Sequence, residues 1–158
     1  MSTQTIQGHS GFMNAADFGF SPDASGVENA RALQQAVDQG GTIVVSQPGT
    51  YKTAATVYIG SNTSLVFANN VFIKKVDEQG EFTHVFLNKG ALTRTYDHNI
   101  TVEGLHIIVN GIDVRKWDVF GLHGQLAFFY IKDLRIERFR CLDMGKAQYA
   151  IPLSSRSL

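Results

Sequence analysis

Hydrophobic positions recur along this chain at two different periods. Val27, Ala30, Leu33 and Val37 stand three and four apart, the spacing of one face of an α-helix. Just before them, Ser25-Gly26-Val27-Glu28 has the Ser-x-x-Glu form in which each side chain satisfies a free backbone N–H at the start of a helix. Gly40-Gly41 supplies the left-handed backbone of a helix stop. The pattern predicts a helix over 27–39. After Gly41 the period shortens. Thr42-Ile43-Val44-Val45 is β-branched and reads as a strand, Gln47-Pro48-Gly49-Thr50 as a turn, and Tyr51 to Tyr58 as one more extended stretch. No later segment carries helical spacing, so the remainder is expected to be all-β. The chain divides into a polar, turn-rich segment, 1–24, and a β domain over 25–158 that includes the helix.

Three later segments resemble one another. Asn62-Thr63-Ser64-Leu65-Val66-Phe67, then Asn99 to Ile107, then Asp133 to Leu142 each open on Asn or Asp and alternate afterwards, at intervals of 37 and 34 residues. Alternation places Ile100, Val102, Leu105 and Ile107 on one face, matched by Leu134, Ile136, Phe139 and Cys141 in the third segment. Thr101, Glu103 and His106 then face solvent, as do Arg135, Glu137, Arg138 and Arg140. Strand pairs recurring at a near-constant interval mark a β-solenoid, in which each coil covers the apolar face of the one before. A jelly roll or a sandwich shows the same alternation.

Composition narrows the partners. Fourteen basic and fourteen acidic residues leave no net charge, so no basic field draws in nucleic acid or an anionic membrane, and neither partner is expected. The single cysteine, Cys141, excludes an intrachain disulfide; on the inward face it is expected to be an inert core thiol. Met1 to Phe12 has neither the basic region nor the apolar core of a secretory signal. No metal or cofactor is expected: the spacing of His, Asp and Cys supplies no zinc set, and Asp97, Asp113 and Asp118 are too scattered for calcium.

Ala16-Asp17-Phe18-Gly19, the helix with Ala32-Leu33-Gln34-Gln35-Ala36-Val37, and the run from Gly40-Gly41-Thr42 through Pro48-Gly49-Thr50-Tyr51 together resemble the opening of the pectate-lyase-like superfamily. The later stretch Gly121 to Ile151 resembles members close to the polygalacturonase-like glycoside hydrolases. The resemblance implies a right-handed parallel β-helix with an N-terminal capping α-helix. It implies a polysaccharide or oligosaccharide partner, and a family often secreted or periplasmic. Physically, an amphipathic helix laid over the first coil buries its stripe and blocks bare strand edges, so Val27, Ala30, Leu33 and Val37 should face that coil.

The hydrolase motifs of that family are Asn-Thr-Asp, Asp-Asp, Gly-His-Gly and Arg-Ile-Lys. Here Asn62-Thr63 is followed by Ser64, no Asp-Asp occurs, Gly121-Leu122-His123-Gly124 carries an extra Leu, and Arg135-Ile136 is followed by Glu137. The expectation is therefore the N-terminal portion of a carbohydrate-active protein, inactive alone and self-associating through an open solenoid end. The alternatives are a non-catalytic tailspike- or adhesin-like module, or a relative of polysaccharide lyases and epimerases. Candidate sugar contacts are Asp113, Trp117, Asp118 and His123 in the loop-like stretch from Gly111 to Gly124, where the Trp117 ring could stack on a sugar, and Asp143 after the third strand pair. Set against them are an ordinary solvated insertion with Trp117 tucked against the barrel and a turn aspartate. Arg135, Arg138 and Arg140 form a basic stripe suited to an acidic polysaccharide or to a merely solvated face. His98 and His106 read as surface histidines.

Overall fold

Ser25 and Glu28 form the expected reciprocal cap in the computed structural model, which describes residues 11–109 and 124–142. Helix α1 is Gly26–Val37, and its first turn is held by more than its own cap. The Glu78 carboxylate, from a distant loop, accepts from the Gly26 and Val27 amides at 2.9 and 3.0 Å. The first amides of the helix, left unpaired by helical geometry, are thereby satisfied, and an anion sits at the positive end of the helix dipole. Glu78 is exposed, so its contribution is modest. Glu78→Ala is expected to cost about 0.5–1 kcal/mol in urea unfolding; an unchanged midpoint would mean that water caps those amides equally well.

Every strand pairing among the described residues is parallel. A short strand β1 (Phe12–Asn14) and a 3-10 turn (Ala15–Phe18) precede α1. Then come β2 (Gly41–Val45), β3 (Gly49–Thr53) and β4 (Val57–Ile59), which make a first coil. A second follows with β5 (Thr63–Phe67), β6 (Val71–Lys75) and β7 (Phe86–Asn88). After a one-turn helix α2 (Gly90–Thr93), β8 (Asp97–Glu103), β9 (His106–Ile108) and β10 (Leu126–Ala127) form a third. Strands β11 (Ile131–Glu137) and β12 (Arg140–Leu142) begin a fourth. Stacking gives three sheets: β1-β2-β5-β8-β11, β3-β6-β9-β12 and β4-β7-β10. This is the arrangement of a β-helix solenoid.

The intervals of the sequence repeat are the register itself. Thr63 pairs with Ile100, 37 positions on, and Ile100 with Leu134, 34 positions on. Asn62, Asn99 and Asp133 all adopt left-handed backbone at one corner, a conformation Asn and Asp tolerate better than most residues. The Asn99 amide donates to Asn62 Oδ1 at 3.2 Å. At the next corner Gly104 (φ +77°) admits no side chain, because a Cβ would overlap the Phe67 carbonyl oxygen.

Ile100, Val102, Leu105 and Ile107 are fully buried, as alternation predicts, and join Ile43, Leu65, Ile73, Phe67 and Phe86 in one continuous core. Leu134, Ile136, Phe139 and Cys141 pack on that core half-buried. α1 packs against β2, β3 and β4. Ala30, Leu33 and Val37 are buried there; Val27 is only half-buried, and Ala32 and Ala36 are buried too, because the stripe is wider than four residues. The stretch from Tyr51 to Tyr58 is two strands, not one, separated by a turn. Helix α2 falls where only extended structure is expected; four residues are too short for any hydrophobic period to show.

Candidate functional site

On a solenoid, side chains from successive coils line up in columns about 4.8 Å apart on the outer faces. Two such columns meet at the corner between the first and second sheets. In the second sheet the outward column is Thr50, Phe72, His106 and Arg140, where Thr50 pairs with Phe72 and His106 with Arg140. The Phe72 and His106 rings lie 5.8 Å apart. In the first sheet Val66, Glu103 and Glu137 form one column and Ser64, Thr101 and Arg135 the next. Tight corners at Gly104 and Arg138, both left-handed, bring the ends of these columns together.

The resulting cluster on coils three and four is Glu103, Glu137, Arg135, Arg138, His106 and Arg140, with Phe72 one coil below. Arg138 donates to Glu103 Oε2 at 2.6 Å, and Arg135 Nε lies 3.9 Å from Glu137 Oε2. Arg140 has no ion-pair partner among the described residues and projects into solvent. Partial burial, then the charges of Arg140 and Arg138, hold His106 below the usual histidine range, against a smaller opposing effect from a backbone hydrogen bond of Arg138. Near neutral pH it is therefore an uncharged imidazole able to donate and accept. The corner offers a flat ring, an uncharged imidazole and an exposed guanidinium, the groups that bind a hydroxyl-rich anion.

Glu103 and Glu137 are register partners on adjacent coils, the placement by which a solenoid can set two carboxylates side by side. Each faces an arginine, and their side chains are 32% and 48% exposed. Neither sits in the dry pocket that a carboxylic general acid needs. The pair is thus suited to holding a ligand's hydroxyls rather than to acid–base chemistry.

Buried polar groups elsewhere serve the fold. Lys75 points inward, fully buried, and donates to the Thr83 carbonyl at 3.0 Å and Gln125 Oε1 at 2.9 Å, with its ammonium 4.7 Å from the Phe82 ring centroid. His84 Nδ1 hydrogen-bonds to the Gly124 carbonyl at 2.7 Å. Asp97, 9% exposed, accepts from Asn88, Gly90 and Ser61. No group of three or more His, Cys, Asp or Glu able to hold a metal occurs among the described residues. No described helix is long and apolar enough to cross a membrane.

Asp113, Trp117, Asp118, His123 and Asp143 lie outside the described residues. Of the basic stripe, Arg138 and Arg140 converge with His106, whereas Arg135 lies on the face of the first sheet. His98 is exposed, and His106 half-buried. Cys141 is half-buried, and burial raises its thiol to about 11. Asn62-Thr63 is taken up by structure: Asn62 makes the corner and Thr63 is buried. The sequence pattern did not single out Phe72, Glu103 or Glu137 as contacts. The 34- and 37-residue intervals would have found the two glutamates, because they place both at one position of the repeat.

No protein-family model and no curated protein matches the sequence. Solved structures do share its fold. A candidate glycosyl hydrolase from Parabacteroides merdae ATCC 43184 aligns over 90% of this chain and 70% of its own, at TM-score 0.66 and 17% identity. PfbA, a surface adhesin of Streptococcus pneumoniae, aligns over 82% of this chain at TM-score 0.62 and 20% identity. An iota-carrageenase bound to iota-carrageenan fragments aligns over 89% at TM-score 0.62 and 16% identity. The chain spans 33% of the length of each of the last two.

Proposed function

We propose that this chain is part of a carbohydrate-handling, right-handed parallel β-helix protein of the pectate-lyase-like kind. In this reading the corner of Phe72, His106, Arg138 and Arg140 binds an acidic polysaccharide. The column of ring, imidazole and exposed guanidinium on consecutive coils carries the proposal: a repeating ligand meets a repeating surface. α1 acts as the lid of the first coil. Its Gln34 supports that role, because it donates to the Tyr58 carbonyl and accepts from the Tyr58 amide at 2.9 and 2.8 Å, as a neighbouring strand would along the outer edge of β4. Asp113, Trp117, Asp118, His123 and Asp143 are kept in this proposal as further sugar contacts.

Binding without turnover is the favoured activity, since Glu103 and Glu137 are open to solvent and the hydrolase motifs are incomplete. Purified chain is expected to release no reducing ends from polygalacturonan. Release at a rate abolished by changing Asp113 or Asp143 would replace this reading with a hydrolase.

Titration calorimetry with polygalacturonate tests the binding. Arg140→Ala with Arg138→Ala is expected to weaken it at least about tenfold, the scale of one or two lost charge-assisted hydrogen bonds. Wild-type affinity is expected to rise as pH falls below the usual histidine value of 6.5. The free protein holds His106 neutral, and an acidic ligand favours its protonated form, so binding takes up a proton. His106→Asn should flatten that rise. A double arginine variant that binds like wild type defeats the assignment.

A further inference from the structure

The opposite end of the same strands carries a second cluster that the corner above does not use. We propose that the turn leading from the third sheet into the first, on coils three and four, is a separate glycan-contact site that takes an acidic sugar chain by stacking on tyrosine. The inference rests on the carbohydrate reading given above and extends it to a different surface.

Tyr96 and Tyr130 immediately precede β8 and β11. Asp97 pairs with Ile131, so the two tyrosines occupy one position on consecutive coils. Their ring centroids are 5.4 Å apart with planes at 89°, and Phe129 adds a third ring 4.3 Å from Tyr130 at 70°. Tyr96 remains 43% exposed and Leu92, in α2, 50%. They are two of the three large hydrophobic residues exposed among the described residues. Tyr130 adopts left-handed backbone (φ 58°), which an aromatic residue rarely does. Strain of this kind persists where the surroundings impose it and gathers at ligand contacts.

Charge at this corner selects the ligand. The Lys132 ammonium lies 4.9 Å from the centroid of Tyr96. Lys132 pairs in register with His98, and both are exposed. Arg94 precedes Tyr96 by two residues and is exposed too. Asp133, next to Lys132, is exposed; Asp97 is buried and committed to Asn88, Gly90 and Ser61. Cations beside amphipathic rings complement a chain that presents C–H faces and carboxylate or sulfate groups together. The left-handed residue Asn99 bends β8 near its start, so the extended run from Ile100 to Glu103, roughly 10 Å at the rise of a strand, separates this turn from the Glu103 corner. Between them the first sheet presents Thr101 and Arg135. One extended acidic chain can lie across β8 and β11 and reach both corners.

Affinity electrophoresis of the full chain in gels of polygalacturonate, iota-carrageenan or neutral dextran separates the possibilities. Wild type should be retarded by the two acidic polymers and not by dextran. Tyr96→Ala with Tyr130→Ala should weaken retardation about three- to tenfold, while Tyr96→Phe, which keeps the ring, should leave it near wild type. Lys132→Glu, an exposed change that leaves the core untouched, should weaken it too, and keeps the test open if the double alanine variant fails to fold. Suppose Arg138→Ala/Arg140→Ala loses binding while the tyrosine and lysine variants bind like wild type. The tyrosine site is then refuted and the arginine corner stands. The reverse pattern supports the tyrosine site and refutes the arginine corner. Equal retardation by dextran would overturn the charge selection, and no retardation of wild type by any polymer overturns both sites.

Discussion

Replacing Asp97 with alanine is expected to destabilise the protein by about 2–4 kcal/mol in urea unfolding, the scale for leaving several buried donors without their acceptor. Asp97 Oδ2 accepts from the Gly90 amide at 2.6 Å and Asn88 Nδ2 at 2.9 Å, and Oδ1 from Ser61 Oγ at 3.2 Å. Asn88 in turn holds both the amide and the carbonyl of Phe129 at 2.8 Å. Ser61 accepts from the His98 amide at 2.9 Å. One carboxylate thus ties the end of coil two, the start of coil three and the turn into coil four. Alanine leaves the Gly90 amide without its acceptor and exposes that loss in a site closed to water. Asp97→Asn, which can keep only part of this acceptor set, should fall between the two. A loss under about 1 kcal/mol for Asp97→Ala would show that water enters and replaces the carboxylate.

The second large effect is a dependence of stability on pH above neutrality. Burial lowers Lys75 to about 8 from 10.5, the Cys141 and Glu81 charges acting the other way. The folded state therefore releases this proton first. Between pH 8 and 10.5 the unfolded chain binds more protons than the native one, so stability rises with pH, and the full gain is about 3 kcal/mol. Cys141 works in the opposite sense. Burial raises it to about 11 from 9.0, so above pH 9 the unfolded chain loses the thiol proton first and stability falls. Wild-type stability should climb from pH 8 to 9 and then level off. Cys141→Ala should keep climbing toward pH 10.5, and Lys75→Met should lose the climb. Denaturant curves on the three proteins at half-unit intervals decide it. A Cys141→Ala protein whose stability is flat over that range would mean that Lys75 stays fully protonated in the fold.

Both effects arise from groups that sequence patterns cannot place. Lys75 occupies an inward position of β6, where alternation predicts an apolar residue, and the strand tolerates it because Thr83 and Gln125 arrive from other parts of the chain to accept its protons. Asp97 looks like one more scattered acid until the register brings Ser61 and Asn88 to it. The tyrosine column is similarly hidden: Tyr96 and Tyr130 share the 34-residue interval, but neither lies in an alternating run that would mark it. Of the candidate sugar contacts, the arginine stripe was legible because alternation on either side of a bend sends Arg135, and Arg138 with Arg140, outward. Its convergence with Phe72 and His106 was not, since that depends on how coils stack across a corner.

The sequence by itself determined what is local or periodic: the helix begun by Ser25 and Glu28, the inward sets of β8 and β9, the Asn and Asp corners and the intervals at which coils recur. These follow from propensity, capping and alternation, which act over a few residues. Only the tertiary structure decided which coil lies on which, the 22-residue step from Gly41 to Thr63, and the partners of every buried polar group. Parallel stacking joins residues a whole coil apart, and the loops between them set that distance without any periodic signal.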